Sequence, residues 1–96
     1  MIRISVYDRA GVFAENKDIA AEIREVRVGP ALTAGETVQL DFTGVEGATQ
    51  SFIHALIADL IRRDGPDVLT SLSFHACNRT IRSIITIVVE YSQIEA

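Results

Sequence analysis

The stretch "QLDFTGVEGATQSF", residues 39–52, decides the fold. An apolar run ends at Asp41, small and polar residues continue to Gln50, and an apolar helical pattern begins after them. A strand followed by a loop and a helix is the repeating part of an α/β domain. In open sheets of that class, sites collect at the carboxyl ends of the strands, so the loop lies where a site is expected.

The helix that follows is predicted from about Gln50 to Arg63. Its apolar residues recur as adjacent pairs every fourth position, which makes one broad apolar face. The pairs are Phe52 and Ile53, Leu56 and Ile57, and Leu60 and Ile61. Upstream, Thr37 to Phe42 predicts the strand that ends in the loop.

Similar units flank this one. "MIRISVY" alternates like a half-buried strand, and residues 16–28 have helical spacing that Gly29-Pro30 is expected to end. "VLTSLSF", residues 68–74, predicts a third strand. Residues 79–91 are predicted as a helix capped by Asn78, with a last strand as the alternative because isoleucine and valine favour strands.

The resulting prediction is an α/β sandwich of order βαβαβα, in which helices cover a small mixed or parallel sheet. Residues 1–96 are expected to form a single domain, since a chain of 96 residues supports one core. The hydrophobic fraction of 48% beside 23% charged residues is typical of a globular protein.

Charge and composition exclude several classes of partner. The net charge is −4, and no basic cluster is longer than Arg62-Arg63, which argues against nucleic acid. No run approaches the roughly 18 apolar residues of a membrane span, and the N-terminus lacks the apolar core of a signal peptide. With Cys77 as the one cysteine, we expect a cytoplasmic protein of bacterial type.

Few residues suggest catalysis or cofactor binding. Asp41 and Glu46 form a paired-carboxylate candidate, but Asp41 is better explained as accepting backbone N–H bonds in the turn. His54, His75 and Cys77 are the soft metal ligands, and their spacing matches no metal motif. No glycine-rich phosphate loop is present. We therefore expect neither an enzyme nor a metal or cofactor.

Ser51 has two interpretations. At a helix start, its hydroxyl can cap the helix by accepting from a free backbone N–H. The same place suits a switch, because a phosphate would add about −1.5 to −2 charges beside the partly positive helix terminus.

The stretch "VQLDFTGVEGATQSF" resembles the STAS signature of anti-sigma factor antagonists, in which Asp-Leu-Ser-x-Val precedes an Asp-Ser-Ser-Gly helix start. Asp41, Thr43 and Val45 match the first part. Thr49, Gln50 and Ser51 take the places of the aspartate and the two serines. The resemblance implies that Ser51 is the serine that a partner kinase phosphorylates, although Phe52 stands where the antagonists have glycine.

A divergent STAS-like family of unestablished function is more similar still. In that family, Pro-Ala-Leu ends the helix before the strand and Ser-Phe opens the next helix, as "GPAL" and "QSF" do here. The resemblance covers roughly residues 15–90 and implies a STAS-like fold.

The function implied is a small regulatory module that works by protein–protein contact, with a histidine-kinase-like ATPase as the partner. Its partner-binding surface is expected to comprise Asp41, Thr43, Glu46, Thr49, Gln50 and Ser51. The alternative is a ligand- or nucleotide-binding subunit of a larger complex or enzyme, in which Asp41 and the loop glycines hold the ligand.

Overall fold

A computed structural model describes residues 1–95 of the chain. The strands in these residues are β1 (Ile2–Ser5), β2 (Phe13–Ala14), β3 (Val38–Asp41), β4 (Gly47–Ala48) and β5 (Leu72–His75). The helices are α1 (Tyr7–Ala10), α2 (residues 17–33), α3 (residues 50–64) and α4 (Arg79–Glu95), with a 3-10 helix at Pro66–Thr70. Helices α2 and α3 each contain a π-helical segment, at Ile23–Val28 and His54–Ala58.

The main sheet consists of three parallel strands in the order β1-β3-β5, so β3 is central. The pairing places Asp41, at the carboxyl end of β3, between Ser5 of β1 and His75 of β5. Val38 and Leu40, which alternate with the polar residues of β3, are buried. The strand predicted over Thr37 to Phe42 is thus confirmed at its centre, and its carboxyl end is where the loop begins.

A second sheet pairs β2 with β4 in parallel, Phe13 opposite Gly47 and Ala14 opposite Ala48. These short strands, with α1 and the 3-10 helix, interrupt the predicted alternation. The α/β class, with parallel strands and packed helices, is confirmed, whereas the strict order βαβαβα is not. Two-residue strands escape prediction because alternation becomes recognisable only over about four residues.

Helix α2 continues past Gly29 and Pro30 to Thr33, so the end predicted at residue 28 is wrong. The N–H of Gly29 donates to the carbonyl of Arg24, five residues earlier. In a regular α-helix, a proline ring crowds the carbonyl four residues before it. The wider π-helical turn just before Pro30 is how the helix accommodates the proline.

The third predicted strand, residues 68–74, is only partly correct. Its first part lies in the 3-10 helix Pro66–Thr70, where the Thr70 hydroxyl donates to the carbonyl of Asp67. The strand itself covers Leu72–His75. Proline at the start of the segment favours a turn because its φ angle is fixed.

Helix α4 confirms the helical prediction for residues 79–91 and shows that the alternative of a last strand is wrong. Ile81, Ile85 and Val88 recur at helical spacing and are buried. The intrinsic preference of isoleucine and valine for strands is smaller than the stabilisation that a helix gains by burying one apolar face. Among the helices of residues 1–95, none has both the length and the hydrophobicity needed to cross a membrane.

One cluster of buried side chains joins the strands to the helices. Helix α3 contributes its whole predicted apolar face, and each of these residues is at most 1% exposed: Phe52, Ile53, Leu56, Ile57, Leu60 and Ile61. The prediction for this helix is confirmed from Gln50 onward. Because α3 is anchored so deeply, the loop that precedes it is held at a defined place.

Candidate functional site

Asp41 ends the central strand and starts the loop of residues 42–49. Its Oδ1 accepts a hydrogen bond from the backbone N–H of Thr43 at 2.9 Å and another from the Thr43 hydroxyl at 2.6 Å. Aspartate commonly orders a turn in this way, because its short side chain reaches the backbone two residues further on. The contacts therefore match the loop-ordering interpretation of Asp41.

The hydrogen bond from the Thr43 hydroxyl, and then the one from its N–H, hold the pKa of Asp41 below its ordinary value. The charges of His75 and Arg3 lower this pKa further, and desolvation opposes the shift without reversing it. A general acid at neutral pH needs a raised pKa. Asp41 is thus a carboxylate that organises the loop, and it is poorly suited to donate a proton beside Glu46.

This lowered pKa predicts a pH dependence of stability. Because the folded pKa of Asp41 lies below the unfolded value of about 3.9, its contribution is complete above that pH and disappears as the pH falls through the folded pKa. Urea unfolding should show Asp41→Asn less stable than the wild type at neutral pH, with the difference shrinking in acid. A difference that stays constant down to low pH would contradict the role of the ionised carboxylate.

Main-chain and side-chain bonds tie the loop to neighbouring elements. The N–H of Glu46 donates to the carbonyl of Val12 at 2.8 Å, and the N–H of Thr49 donates to the carbonyl of Ala14 at 3.0 Å. The carbonyl of Glu46 accepts from Nδ2 of Asn78, next to the start of α4, at 2.7 Å. The loop is therefore held between β2 and α4.

Two aromatic rings that the sequence did not connect with the loop lie against its glycines. A Cβ atom on Gly44 would be 2.9 Å from the ring of Tyr7, and one on Gly47 would be 2.8 Å from the ring of Phe13. Gly44 also has a φ angle of +89°, which favours glycine. No local spacing links residues 7 and 13 to this loop, so only the folded chain reveals the contacts.

The residue that caps α3 is Thr49, and the prediction that Ser51 is the cap is wrong. Thr49 has an extended backbone, and its hydroxyl accepts from the N–H of Phe52 at 3.1 Å. Ser51 lies in the first turn with its side chain exposed, and its Oγ is 3.3 Å from the Thr49 hydroxyl. Capping requires the non-helical residue before the first turn, and the helix begins at Gln50.

The exposure of the predicted surface residues divides them into two groups. Thr43, Glu46, Gln50 and Ser51 are exposed, whereas Asp41 and Thr49 are half-buried. The exposed group is open to a partner, while the half-buried pair holds the loop and the helix start in place.

These positions predict effects of different size on stability for substitutions of the two hydroxyl residues. Thr49→Ala removes the cap and is expected to lower the free energy of unfolding by about 1 kcal/mol. Ser51→Ala removes an exposed hydroxyl that caps nothing, so its effect should stay within about 0.5 kcal/mol. Urea unfolding of both variants is the measurement. If Ser51→Ala were the more destabilising, Ser51 would be the cap after all.

The candidate metal ligands are divided between two places: His75 and Cys77 lie at or just after the carboxyl end of β5, and His54 lies on α3. His75 ends β5, while Nε2 of His54 is 3.0 Å from Arg62. Burial raises the pKa of the half-buried Cys77 thiol, which favours its neutral form. Within residues 1–95, no three His, Cys, Asp or Glu side chains are grouped closely enough to hold a metal ion.

A family model described as the STAS-like domain of unknown function, DUF4325, matches residues 20–82. The chain belongs to this STAS-like family. No curated protein and no solved structure gives a significant match. The resemblance stated from the loop and its neighbouring helices is thus confirmed at the level of the family.

The part of the chain that matches the STAS-like family runs from α2 to the first turn of α4. It contains β3, the loop of residues 42–49 and the whole of α3, so every residue of the predicted partner-binding surface lies inside it. Tyr7 and Phe13, whose rings lie on the loop glycines, precede it.

Proposed function

We propose that this STAS-like domain is a regulatory protein–protein interaction module, recognised by its partner through one continuous loop and helix start. The proposed surface comprises Asp41, Thr43, Glu46, Thr49, Gln50 and Ser51. The observation that carries the proposal is the position of Ser51, which is exposed in the first turn of a helix capped by another residue. A modification of Ser51 would therefore keep the capping residue Thr49, whose hydroxyl lies 3.3 Å from Oγ of Ser51.

Ser51 is the proposed phosphorylation site of the module. Transfer would move the γ-phosphoryl group of ATP to Oγ of Ser51, with release of ADP and of the hydroxyl proton. The donor proposed is a histidine-kinase-like ATPase, as the STAS resemblance implies, and the cytoplasm is the compartment that supplies its ATP. The N–H groups at the start of α3 support this assignment, because a helix N-terminus favours negative charge. We assign no catalytic role to the domain itself.

The test is incubation of the full chain with a histidine-kinase-like ATPase encoded near it and ATP, followed by mass spectrometry. We expect one phosphate on the wild type and on Ser83→Ala, whose exposed serine on α4 serves as the matched control. Ser51→Ala should remain unmodified. Phosphate on another residue, or neither phosphate nor a complex, would contradict the proposal.

The alternative of a ligand- or nucleotide-binding subunit has less support. It requires the loop glycines to leave room for a phosphate, and the rings of Tyr7 and Phe13 already occupy the space beside Gly44 and Gly47. A thermal shift with a nucleotide would favour this alternative, since a ligand at 100 times its Kd raises the free energy of unfolding by about 2.7 kcal/mol.

A further inference from the structure

Three apolar side chains are exposed next to the loop of residues 42–49, which leads to Ser51. Tyr7, Val12 and Phe13 are 42%, 47% and 52% exposed. The rings of Tyr7 and Phe13 lie against Gly44 and Gly47, and the carbonyl of Val12 accepts from the loop backbone. Rings held against a backbone lose little freedom on binding, which makes them suitable anchors for a partner.

Three acidic residues stand next to these side chains, or to the loop glycines, along the chain. Asp8 follows Tyr7, Glu15 follows the end of β2, and Glu46 precedes Gly47. All three are exposed, and none forms an ion pair within residues 1–95. Next along the chain, Lys17 and Asp18 offset each other in charge.

Within residues 1–95, Asp18, Asp41, Asp67 and Glu90 also lie in no ion pair, whereas five other carboxylates do. Those that lie in ion pairs are Glu22, Glu25, Glu36, Asp59 and Asp64. Three of the carboxylates without an ion pair, Asp8, Glu15 and Glu46, are therefore sequence neighbours of the exposed apolar side chains or of the glycines beneath them. We call the set of Tyr7, Val12, Phe13, Asp8, Glu15 and Glu46 the acidic–aromatic patch.

We propose that the acidic–aromatic patch binds a partner protein that presents an apolar protrusion flanked by lysine or arginine. This inference rests on the proposed function, because it specifies the chemistry of the partner proposed to bind the loop and the helix start at Ser51. Complementary charge around an apolar centre gives an interface its specificity and its association rate.

Charge also argues against a second copy of the chain as the occupant. In a symmetric dimer the same surface meets itself, so Asp8, Glu15 and Glu46 of both copies would be brought together. Like charges at an interface cost binding free energy. A basic partner removes this repulsion and pairs with the unpaired carboxylates.

The test uses two short synthetic peptides that share one Leu-Phe-Leu centre and differ only in their flanks, lysine in one and glutamate in the other. Each is titrated into the isotope-labelled full chain, and amide chemical shifts report both the Kd and the site. The lysine-flanked peptide should shift residues 7–15 and 44–51 and bind about tenfold or more tightly than the glutamate-flanked one.

Substitutions separate the apolar and charged contributions. Phe13→Ser should raise the Kd of the lysine-flanked peptide about tenfold or more. The double variant Glu15→Lys, Glu46→Lys keeps both aromatic rings and should shift the binding preference toward the glutamate-flanked peptide. It tests the role of charge even if Phe13→Ser fails to fold. Tyr91→Ser and Glu90→Lys are matched controls, because both residues are exposed on α4, and neither should change the binding.

Equal binding of the two peptides, or shifts that map to α4, would overturn the inference. So would a dimer in sedimentation velocity that Phe13→Ser dissociates, because a second copy would then be the occupant. Phosphorylation of Ser51 is measured separately. If Ser51 is phosphorylated but the chain binds both peptides equally, the proposed function stands and only this inference is overturned.

Discussion

Phe52→Ala is expected to lower the free energy of unfolding by about 3–5 kcal/mol, the largest effect predicted for this domain. The side chain of Phe52 is 0% exposed and belongs to the core cluster that joins the strands to the helices. Truncation removes buried apolar surface and leaves a cavity at the start of α3. Domains of this kind are stable by about 5–15 kcal/mol in total, so the loss is a large fraction.

Urea unfolding followed by circular dichroism measures this effect, with Phe52→Leu as the matched control. Leucine retains most of the buried volume, so its loss should be clearly smaller than that of alanine. If Phe52→Ala and Phe52→Leu were both nearly neutral, the packing of the first turn of α3 against the core would be wrong.

The contrast between Phe52 and Ser51 bears on the proposed switch. Phe52 occupies the position at which the resembling antagonists have glycine, and here that position is part of the core. Phe52→Gly would add to the cavity a helix penalty of about 1 kcal/mol. A single substitution is therefore expected to unfold the helix start and not to produce an antagonist-like loop. The proposed partner would have to recognise Ser51 with this bulky residue buried next to it.

Asn78→Ala is expected to cost about 2 kcal/mol, because one side chain makes two separate contacts. Its Oδ1 accepts from the N–H of Ile81 at 2.9 Å and so caps α4, while its Nδ2 donates to the carbonyl of Glu46 at 2.7 Å. The first bond stabilises the helix and the second holds the loop.

Two further variants separate these contacts in urea unfolding. Asn78→Asp keeps the capping oxygen and loses the donor to Glu46, so its cost should be about 1 kcal/mol, roughly half that of the alanine variant. Asn16→Ala removes a similar cap from α2, where Asn16 accepts from the N–H of Asp18, and it leaves the loop bond intact. Equal losses for Asn78→Asp and Asn78→Ala would show that the cap contributes nothing.

Local periodicity explains which parts of the fold were predictable. The paired apolar residues of α3 and the spacing of Ile81, Ile85 and Val88 on α4 are each repeated over several turns, so they identify helices without reference to the rest of the chain. Asn78 could be recognised as a cap because a good capping residue stands directly before a helical pattern.

Two of the errors share a cause. Proline disfavours helical geometry in the residue before it, which predicts a helix end at Gly29-Pro30, yet a π-helical turn carries the helix past this point. Serine commonly caps helices, which favours Ser51 as the cap, yet Thr49, two residues earlier, has the extended backbone that capping needs. In both places two local solutions compete, and the packing of the neighbouring elements selects one.

The sequence by itself determined the α/β class, the extent of α3 and the loop of polar residues at the end of β3. Strands and helices each impose a fixed spacing of apolar residues, and that spacing is visible within a short segment. Only the tertiary structure decided what surrounds Ser51. The pairing of β2 with β4 brings Phe13 to Gly47, and Tyr7 of α1 lies against Gly44. Asn78 holds Glu46 across 32 residues of chain. Such contacts depend on distance in space, which separation along a chain does not specify.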